Sequence, residues 1–252
     1  MKIVISPAKS LDFETKAPTS EYSEGIFLKE AEKLSIVLKK ISPKKLSELM
    51  RISDNLGELN WQRNQEWQLP FSLKNAKQAV FAFKGDVYIG IEAYTLSSKK
   101  ISQLQNKLRI LSGQYGMLKP LDLMQPYRLE MGTKLKIGRN DNLYQYWDTK
   151  IVNAINEELN EGEVFVNLAS NEYFKAIKPK LLNVPVITPV FKDYQNGQLK
   201  VISFFTKKAR GLMVRYIIDN NIENAEDLKG FNCEGYAYDA NLSLENEIVF
   251  TR

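Results

Sequence analysis

The sequence predicts an α/β fold, with a mixed β-sheet flanked by helices in a single compact domain. Short apolar runs with strand character, such as residues 2–6 and 163–170, alternate with amphipathic helical segments. The chain has 252 residues, enough to bury one large core. No Pro/Ser/Gly-rich linker and no internal repeat divides it, so we expect one domain over residues 1–252.

The first quarter of the chain predicts one buried strand and three helices. "KIVIS", residues 2–6, has the continuous apolar pattern of a buried strand. A helix over residues 25–41 is predicted because its apolar residues recur every three or four positions. Ser42 and Pro43 predict the N-cap and first turn of a second, short helix, and Ser53 is expected to cap a third.

The remaining elements follow from periodicity and turn residues. Helices are predicted over residues 97–108, 143–160 and 205–219, and residues 72–83 are predicted to begin as helix. The first of these helices runs into a strand, "LRILS". The dipeptide Asn196-Gly197 predicts the type I′ turn of a hairpin. Two short strands close the chain.

Composition excludes several kinds of catalytic site. The chain contains no histidine and a single cysteine, Cys233. Histidine-dependent triads, Cys-His pairs, zinc ribbons and iron–sulfur clusters held by this chain alone are therefore excluded. No metal site and no cofactor is expected, and any catalysis must use Lys, Asp, Glu, Ser or Tyr.

Charge and hydropathy point to a cytoplasmic protein with an anionic partner. The net charge of +5 favours nucleic acid, nucleotides or phosphorylated metabolites. No apolar stretch approaches the roughly 18 residues of a membrane helix, and the apolar run at the N-terminus is too short for a signal peptide. We expect no membrane association. The oligomeric state does not follow from the sequence.

The segment "KKLSELMRISDNLGELN" predicts two short helices joined by a tight hairpin. Backbone N–H groups at the start of the second helix would bind a phosphate oxygen, as in the helix-hairpin-helix motif of DNA-repair proteins. Leu49 and Ile52 occupy the apolar positions of that motif, whereas Arg51 and Ser53 stand where it carries glycine. We predict such an element over about residues 42–64, and an ordinary corner between helices is the alternative. Its expected DNA contacts are Arg51, Ile52, Ser53 and Asn55.

Two further segments indicate anion binding. In "SPAKS" the order Ser6-x-x-Lys9 matches serine–lysine hydrolases, but Lys9 as an anion ligand at the end of the first strand is the preferred interpretation. In the last predicted helix, cationic side chains share the arc opposite the apolar side, either as a phosphate-tracking surface or as a plain solvated face. The glycines after "LRILS" lack the order of a dinucleotide fingerprint or a P-loop.

Six blocks spread over nearly the whole chain resemble the YaaA family of peroxide stress proteins. They are "SPAKSLDF", "FKGDVYIGI", "LRILSGQYGMLKPLDLMQPYRLEMGTKL", "NLASNEYFKAIKPK", "ISFFTKKARGLMVRYII" and "GYAYD" with "IVFTR". The resemblance implies protection against hydrogen peroxide and iron damage, a link to DNA repair, and DNA binding without strong sequence preference. It also implies a positively charged cleft and a helix-hairpin-helix element, in which relatives tend to carry glycine at the position of Arg51.

The family does not supply an active site that can be transferred residue by residue. We therefore infer the cations of the cleft from their place in these blocks and from their charge. They are Lys9, Lys84, Arg109, Lys119, Arg128, Lys175, Lys207, Lys208 and Arg210.

Two functions remain open from the sequence. The first is a DNA-binding protein of the peroxide stress response, held by phosphate contacts. The alternative is an enzyme acting on a nucleotide or damaged nucleobase, whose acid, base or Schiff-base nucleophile would come from Lys9, Lys84, Asp86, Glu130 and Glu172. Convergence of Asp86 and Glu130 with Lys9 would favour the enzyme, because carboxylates repel phosphate. An iron-handling protein would need a cluster of carboxylates, and none is visible.

Overall fold

A computed structural model describes all residues from Met1 to Arg252. The strands are β1 (Lys2–Ile5), β2 (Ser10–Leu11), β3 (Lys77–Gln78), β4 (Phe83–Lys84), β5 (Leu108–Ser112), β6 (Gly116–Leu118), β7 (Leu123–Met124), β8 (Phe165–Leu168), β9 (Val186–Gln195), β10 (Gln198–Lys200), β11 (Ala237–Tyr238) and β12 (Glu247–Thr251). The helices are α1 (Leu28–Leu38), α2 (Pro43–Met50), α3 (Asp54–Glu66), α4 (Ala79–Ala82), α5 (Asp86–Ile91), α6 (Ser98–Lys107), α7 (Leu143–Trp147), α8 (Lys150–Glu158), α9 (Asn171–Phe174) and α10 (Ser203–Asp219).

One mixed sheet organises the molecule, and it confirms the predicted α/β class and single domain. Its order is β11-β12-β9-β8-β1-β5-β6, with β10 paired to β9. Strands β5, β1, β8, β9 and β12 run parallel, and β6, β10 and β11 are antiparallel additions. Strand β1 pairs with β5 on one side and with β8 on the other. The chain therefore builds the sheet outward from β1 in one direction first and in the opposite direction later. In open α/β sheets, ligands bind beyond the carboxyl ends of the strands at such a switch of direction.

The centre of the sheet is covered on both faces, and this is why its strands read as continuous apolar runs. Ile3, Val4 and Ile5 of β1 have no exposed surface. Helix α6 runs directly into β5 as predicted, and Asn196 and Gly197 both have positive φ between β9 and β10, as the predicted turn requires. None of the helices combines the length and the apolar character needed to traverse a bilayer.

Two predicted helices are wrong in detail. Residues 143–160 form α7 and α8 instead of one helix, because Asp148 adopts a φ of 43° and its carboxylate pairs with Lys178 from a distant segment. Residues 72–83 contain only the single turn of α4 between two two-residue strands. In both places a tertiary contact overrides the local periodicity.

Helices α5 and α10 touch through their backbones, and glycine makes this approach possible. A Cβ atom at Gly211 would lie 1.9 Å from the Val87 carbonyl oxygen, and one at Gly90 would lie 2.4 Å from the Lys208 carbonyl oxygen. Neither obstacle is a flexible side chain, so no rotamer change could relieve the clash. The contact fixes α10 beside the segment that follows β4.

We expect Gly211→Ala to destabilise the protein by about 2 kcal/mol or more. The gain in helix propensity of about 1 kcal/mol is outweighed by overpacking against backbone, which costs roughly 1–3 kcal/mol and more where nothing can move. For a chain of this length the midpoint of thermal unfolding should fall by roughly 4–8 °C. Gly25→Ala is the control, since its Cβ would meet only the ends of side chains, the nearest being Leu118 Cδ2 at 3.3 Å. Equal midpoints for the two variants would contradict the proposed contact.

Candidate functional site

A cavity of about 430 Å³ lies at the carboxyl ends of β1 and β8, where the sheet changes direction. Ser6 follows β1 and Ser170 lies just beyond β8; the Ser170 backbone N–H donates to the Ser6 Oγ at 2.9 Å. This hydrogen bond joins the two strand ends that form the floor of the cavity. The volume falls within the range of small-molecule sites.

Three segments distant in sequence complete the walls. They are the loop between β4 and α5, the irregular stretch around Tyr127 to Glu130, and one side of α10. The contact between α5 and α10 brings the first and last of these together. The candidate residues that line the cavity are Lys9, Lys84, Asp86, Arg128, Glu130, Glu172, Lys207 and Arg210.

Asp86, Glu130 and Lys9 therefore share one cavity, which is the arrangement that favours an enzyme over a plain backbone binder. The Lys9 Nζ lies 2.9 Å from the Glu130 Oε2, and the Arg128 Nη2 lies 3.4 Å from the Glu130 Oε1. Glu172 accepts a hydrogen bond from the Gly132 backbone N–H at 2.8 Å, which fixes its carboxylate at the edge. Lys84, Lys207 and Arg210 have no carboxylate within ion-pair distance.

Three buried phenols form the apolar part of the wall. Burial raises the pKa of Tyr88 and Tyr127 well above the usual value, and it also raises the pKa of Tyr173. These groups therefore stay protonated. The Tyr88 hydroxyl donates to the Ser6 carbonyl oxygen at 3.2 Å, and the Tyr127 and Ser112 hydroxyls are 2.7 Å apart.

Arg109 and Lys119, both inferred cleft cations, are held away from the cavity by one carboxylate. Arg109 is 2% exposed, and its Nε and Nη2 atoms each lie 2.6 Å from the Glu158 Oε2. Lys119 Nζ lies 2.9 Å from the other Glu158 oxygen. Burial alone would raise the pKa of Glu158, but hydrogen bonds from Lys119 and Arg109 lower it overall. Arg109 thus serves the fold and cannot reach a phosphate.

Lys175 and Lys208 also lie outside the cavity. The Lys175 Nζ sits 4.4 Å from the centre of the Tyr144 ring, and Lys208 pairs with Glu234. Lys208 is adjacent to Lys207 in sequence, but a helix turns successive side chains by about 100°, so the two face different surroundings.

The predicted hairpin residues lie between α2 and α3, away from the cavity wall. Arg51 ends α2 in the left-handed conformation with a φ of 53°, and the Ile52 N–H donates to the Ser47 carbonyl oxygen at 3.0 Å. The Ser53 hydroxyl caps α3 by accepting from the Leu56 N–H at 3.4 Å. Gly57 allows the close approach of the helices, because a Cβ there would lie 2.0 Å from the Ser47 Oγ. Arg51, Ser53 and Asn55 are exposed and Ile52 is half-buried.

Arg63 is a cation near the site that no motif indicated. It lies in the last turns of α3; burial lowers its pKa first, and the nearby positive charge of Arg128 lowers it further. The Arg63 Nη1 contacts only the Asn60 Oδ1, at 3.3 Å, and no carboxylate pairs with it. Arg63 thus lies near Arg128 of the cavity lining, and a lone arginine in a polar helix gives no sequence signal of this.

The carboxylates of the cavity do not form a metal centre. No three acidic or cysteine side chains of the chain are grouped as ligands of one ion. The acidic groups of the cavity are instead placed against cations and a backbone N–H.

Comparison with known proteins extends over the whole chain. A family model described as peroxide stress protein YaaA matches residues 1–242. A UPF0246 protein of Flavobacterium johnsoniae is 62% identical over 252 residues, covering both chains completely. A UPF0246 protein of Hahella chejuensis is 52% identical over 254 residues, covering all of this chain and 99% of its own.

We expect Arg109→Met to lower the free energy of unfolding by roughly 3 kcal/mol at neutral pH, because it leaves the Glu158 carboxylate without its buried partner. Lys119→Met, which removes a more exposed partner, should cost about 1 kcal/mol or less. The lowered pKa of Glu158 contributes stability above its ordinary value of 4.5, and that contribution is lost as the pH falls. The difference in unfolding free energy between wild type and Arg109→Met, measured by urea titration, should therefore shrink below pH 4.5. A deficit independent of pH would contradict this account.

Proposed function

Because the chain belongs to the YaaA family of peroxide stress proteins, we propose that it is a DNA-binding protein whose cavity receives one nucleotide of the strand. The supporting observation is the convergence of five cationic side chains with three carboxylates in one cavity. Cations attract phosphate, whereas carboxylates accept hydrogen bonds from hydroxyl and amino groups of a sugar or base. A surface that only tracked the backbone would gain nothing from the carboxylates.

The hairpin between α2 and α3 supports a second contact with the DNA backbone. Arg51 is exposed and free of any ion pair at the corner. The Asp54 and Asn55 backbone N–H groups lie in the first turn of α3, where a helix leaves such donors unsatisfied. Arg63 lies at the other end of the same helix, beside the cavity wall. The protein would bind phosphates at the corner and a nucleotide in the cavity, and so shield DNA from iron and peroxide damage.

A second function is favoured by the Lys9–Glu130 pair. An amine and a carboxylate 2.9 Å apart can exchange a proton during reaction, and Lys9 is 63% exposed and faces the cavity. Asp86 and Glu172 add two further carboxylates. The protein would then be an enzyme acting on a nucleotide or damaged nucleobase, with Lys9 or Lys84 as the amine.

DNA affinity should fall with salt, and Arg51→Glu and Lys84→Gln/Lys207→Gln should each weaken it. The slope of log K against log salt should flatten by about 0.9 for each phosphate of duplex DNA that a variant no longer binds. Fluorescence anisotropy with duplex, bubble and single-stranded DNA at several salt concentrations measures both quantities. Lys99→Glu, at an exposed lysine without an ion pair, changes the net charge by the same two units and is the control.

Equal affinity of all four proteins would show that neither the hairpin nor the cavity contacts DNA. No binding by the wild type at low salt would end the DNA-binding proposal altogether. Weaker binding by Arg51→Glu alone would restrict the interface to the hairpin.

If the cavity is catalytic, Glu130→Gln and Lys9→Met should each reduce turnover by about 100-fold or more, the usual contribution of general acid–base catalysis. Free nucleotides and oligonucleotides with oxidised bases are the substrates to screen, with released products separated by chromatography. Arg139→Gln, an exposed change outside the cavity, should retain wild-type turnover. Absence of turnover by the wild type would contradict the enzyme hypothesis and would leave the DNA-binding proposal unaffected.

A further inference from the structure

Arg210 is half-buried and makes no ion pair or hydrogen bond within the chain. Its Nε atom is excluded from solvent and has no hydrogen-bond acceptor, and no carboxylate forms an ion pair with its guanidinium. Burial lowers its pKa. The remaining forked donors of Arg210 have no acceptor in the chain, and an anion in the cavity would supply one.

Arg128 shows a similar pattern at another point of the cavity lining. Its Nε atom is also buried and unpartnered, and its one carboxylate contact is the 3.4 Å approach to Glu130. Six buried side-chain polar atoms in the chain lack a hydrogen-bond partner. Only two of them belong to charged groups, and these are the Nε atoms of Arg128 and Arg210. Both residues line the same cavity.

The balance of charge selects the class of anion. Five cations and three carboxylates line the cavity, which leaves two positive charges uncompensated. A phosphate monoester carries a charge of about −1.5 to −2 at pH 7, whereas a phosphodiester carries about −1. The planar, forked donors of arginine match the oxygens of a phosphate, and Lys84 and Lys207 are free to neutralise the second charge.

We infer that the cavity is a receptor for a phosphate monoester of nucleotide size, with Arg210 as its principal donor and Arg128 as a second donor. This deepens the proposed function and rests on it, because it specifies which part of a nucleotide the cavity holds. The monoester would belong either to a free nucleoside monophosphate or to the 5′-phosphate at a DNA end. Asp86 and Glu172 remain to accept hydrogen bonds from the rest of the ligand.

Isothermal titration calorimetry with dAMP, deoxyadenosine and inorganic phosphate tests the receptor directly. We expect dAMP to bind the wild type at least tenfold more tightly than deoxyadenosine. Arg210→Gln should lose roughly 10- to 100-fold in affinity for dAMP, the scale of hydrogen bonds to a charged group. Arg139→Gln should keep wild-type affinity. Equal affinity of Arg210→Gln and wild type, or no binding of dAMP by the wild type, would overturn the inference.

Thermal unfolding separates a binding role from a structural one. Without ligand, Arg210→Met should unfold near the wild-type temperature, because Arg210 makes no ion pair or hydrogen bond within the chain that the substitution would remove. Phosphate should raise the midpoint of the wild type but not that of the variant. A large fall in the midpoint of Arg210→Met would show that Arg210 serves the fold. In that case stabilisation of the wild type by phosphate remains the decisive measurement, and its absence would reject the receptor.

Oligonucleotides that differ only at the 5′ end distinguish a free nucleotide from a DNA end as the source of the phosphate monoester. They also separate the phosphate receptor from the DNA-binding proposal. Single strands with a 5′-phosphate or a 5′-hydroxyl are compared in anisotropy, with dAMP as competitor. Preference for the 5′-phosphate, abolished by dAMP, assigns the receptor to DNA ends, whereas dAMP binding without such preference assigns it to free nucleotides. If dAMP binds and no DNA does, DNA binding fails and the receptor stands. If DNA binds while dAMP does not, the receptor fails and DNA binding stands.

Discussion

The backbone contact between α5 and α10 is the constraint on which the cavity depends. Gly90 and Gly211 remove the side chains that would otherwise separate the two helices, so that α10 lies against the loop after β4. Through that loop the contact places Lys84 and Asp86 opposite Lys207 and Arg210, although these pairs are more than a hundred residues apart. The sheet contributes the floor, through Ser6 and Ser170, and the two glycines allow the close approach of α5 and α10.

The position of the cavity follows from the topology of the sheet. Strand β1 is the point from which the chain extends first toward β5 and later, through β8, toward β9 and β12. The helices that connect parallel strands diverge at such a point and leave a crevice beyond the strand ends. Lys9 lies in this crevice because it follows the central strand, and that placement is independent of any ligand.

Local signals in the sequence were sufficient for some elements and for part of the site. The Asn196-Gly197 turn, the passage from α6 into β5 and the short helices around Arg51 depend on neighbouring residues only. The break at Asp148 does not, since its carboxylate is held by Lys178, thirty residues away. Likewise, Arg109 has the positive charge expected of a phosphate-binding residue. Only the folded chain reveals that it already forms an ion pair with Glu158. Arg63 was missed because its neighbour Arg128 comes from another part of the sequence.

The buried phenols give the cavity a wall that does not change its charge in neutral solution. Tyr88, Tyr127 and Tyr173 keep their protons well beyond the physiological range. The chain has no imidazole, the side chain that ordinarily titrates between pH 5 and 8. A phosphate monoester, by contrast, loses its second proton near pH 6. Mild acidification would therefore change the charge of the proposed phosphate ligand, while these three phenols kept theirs.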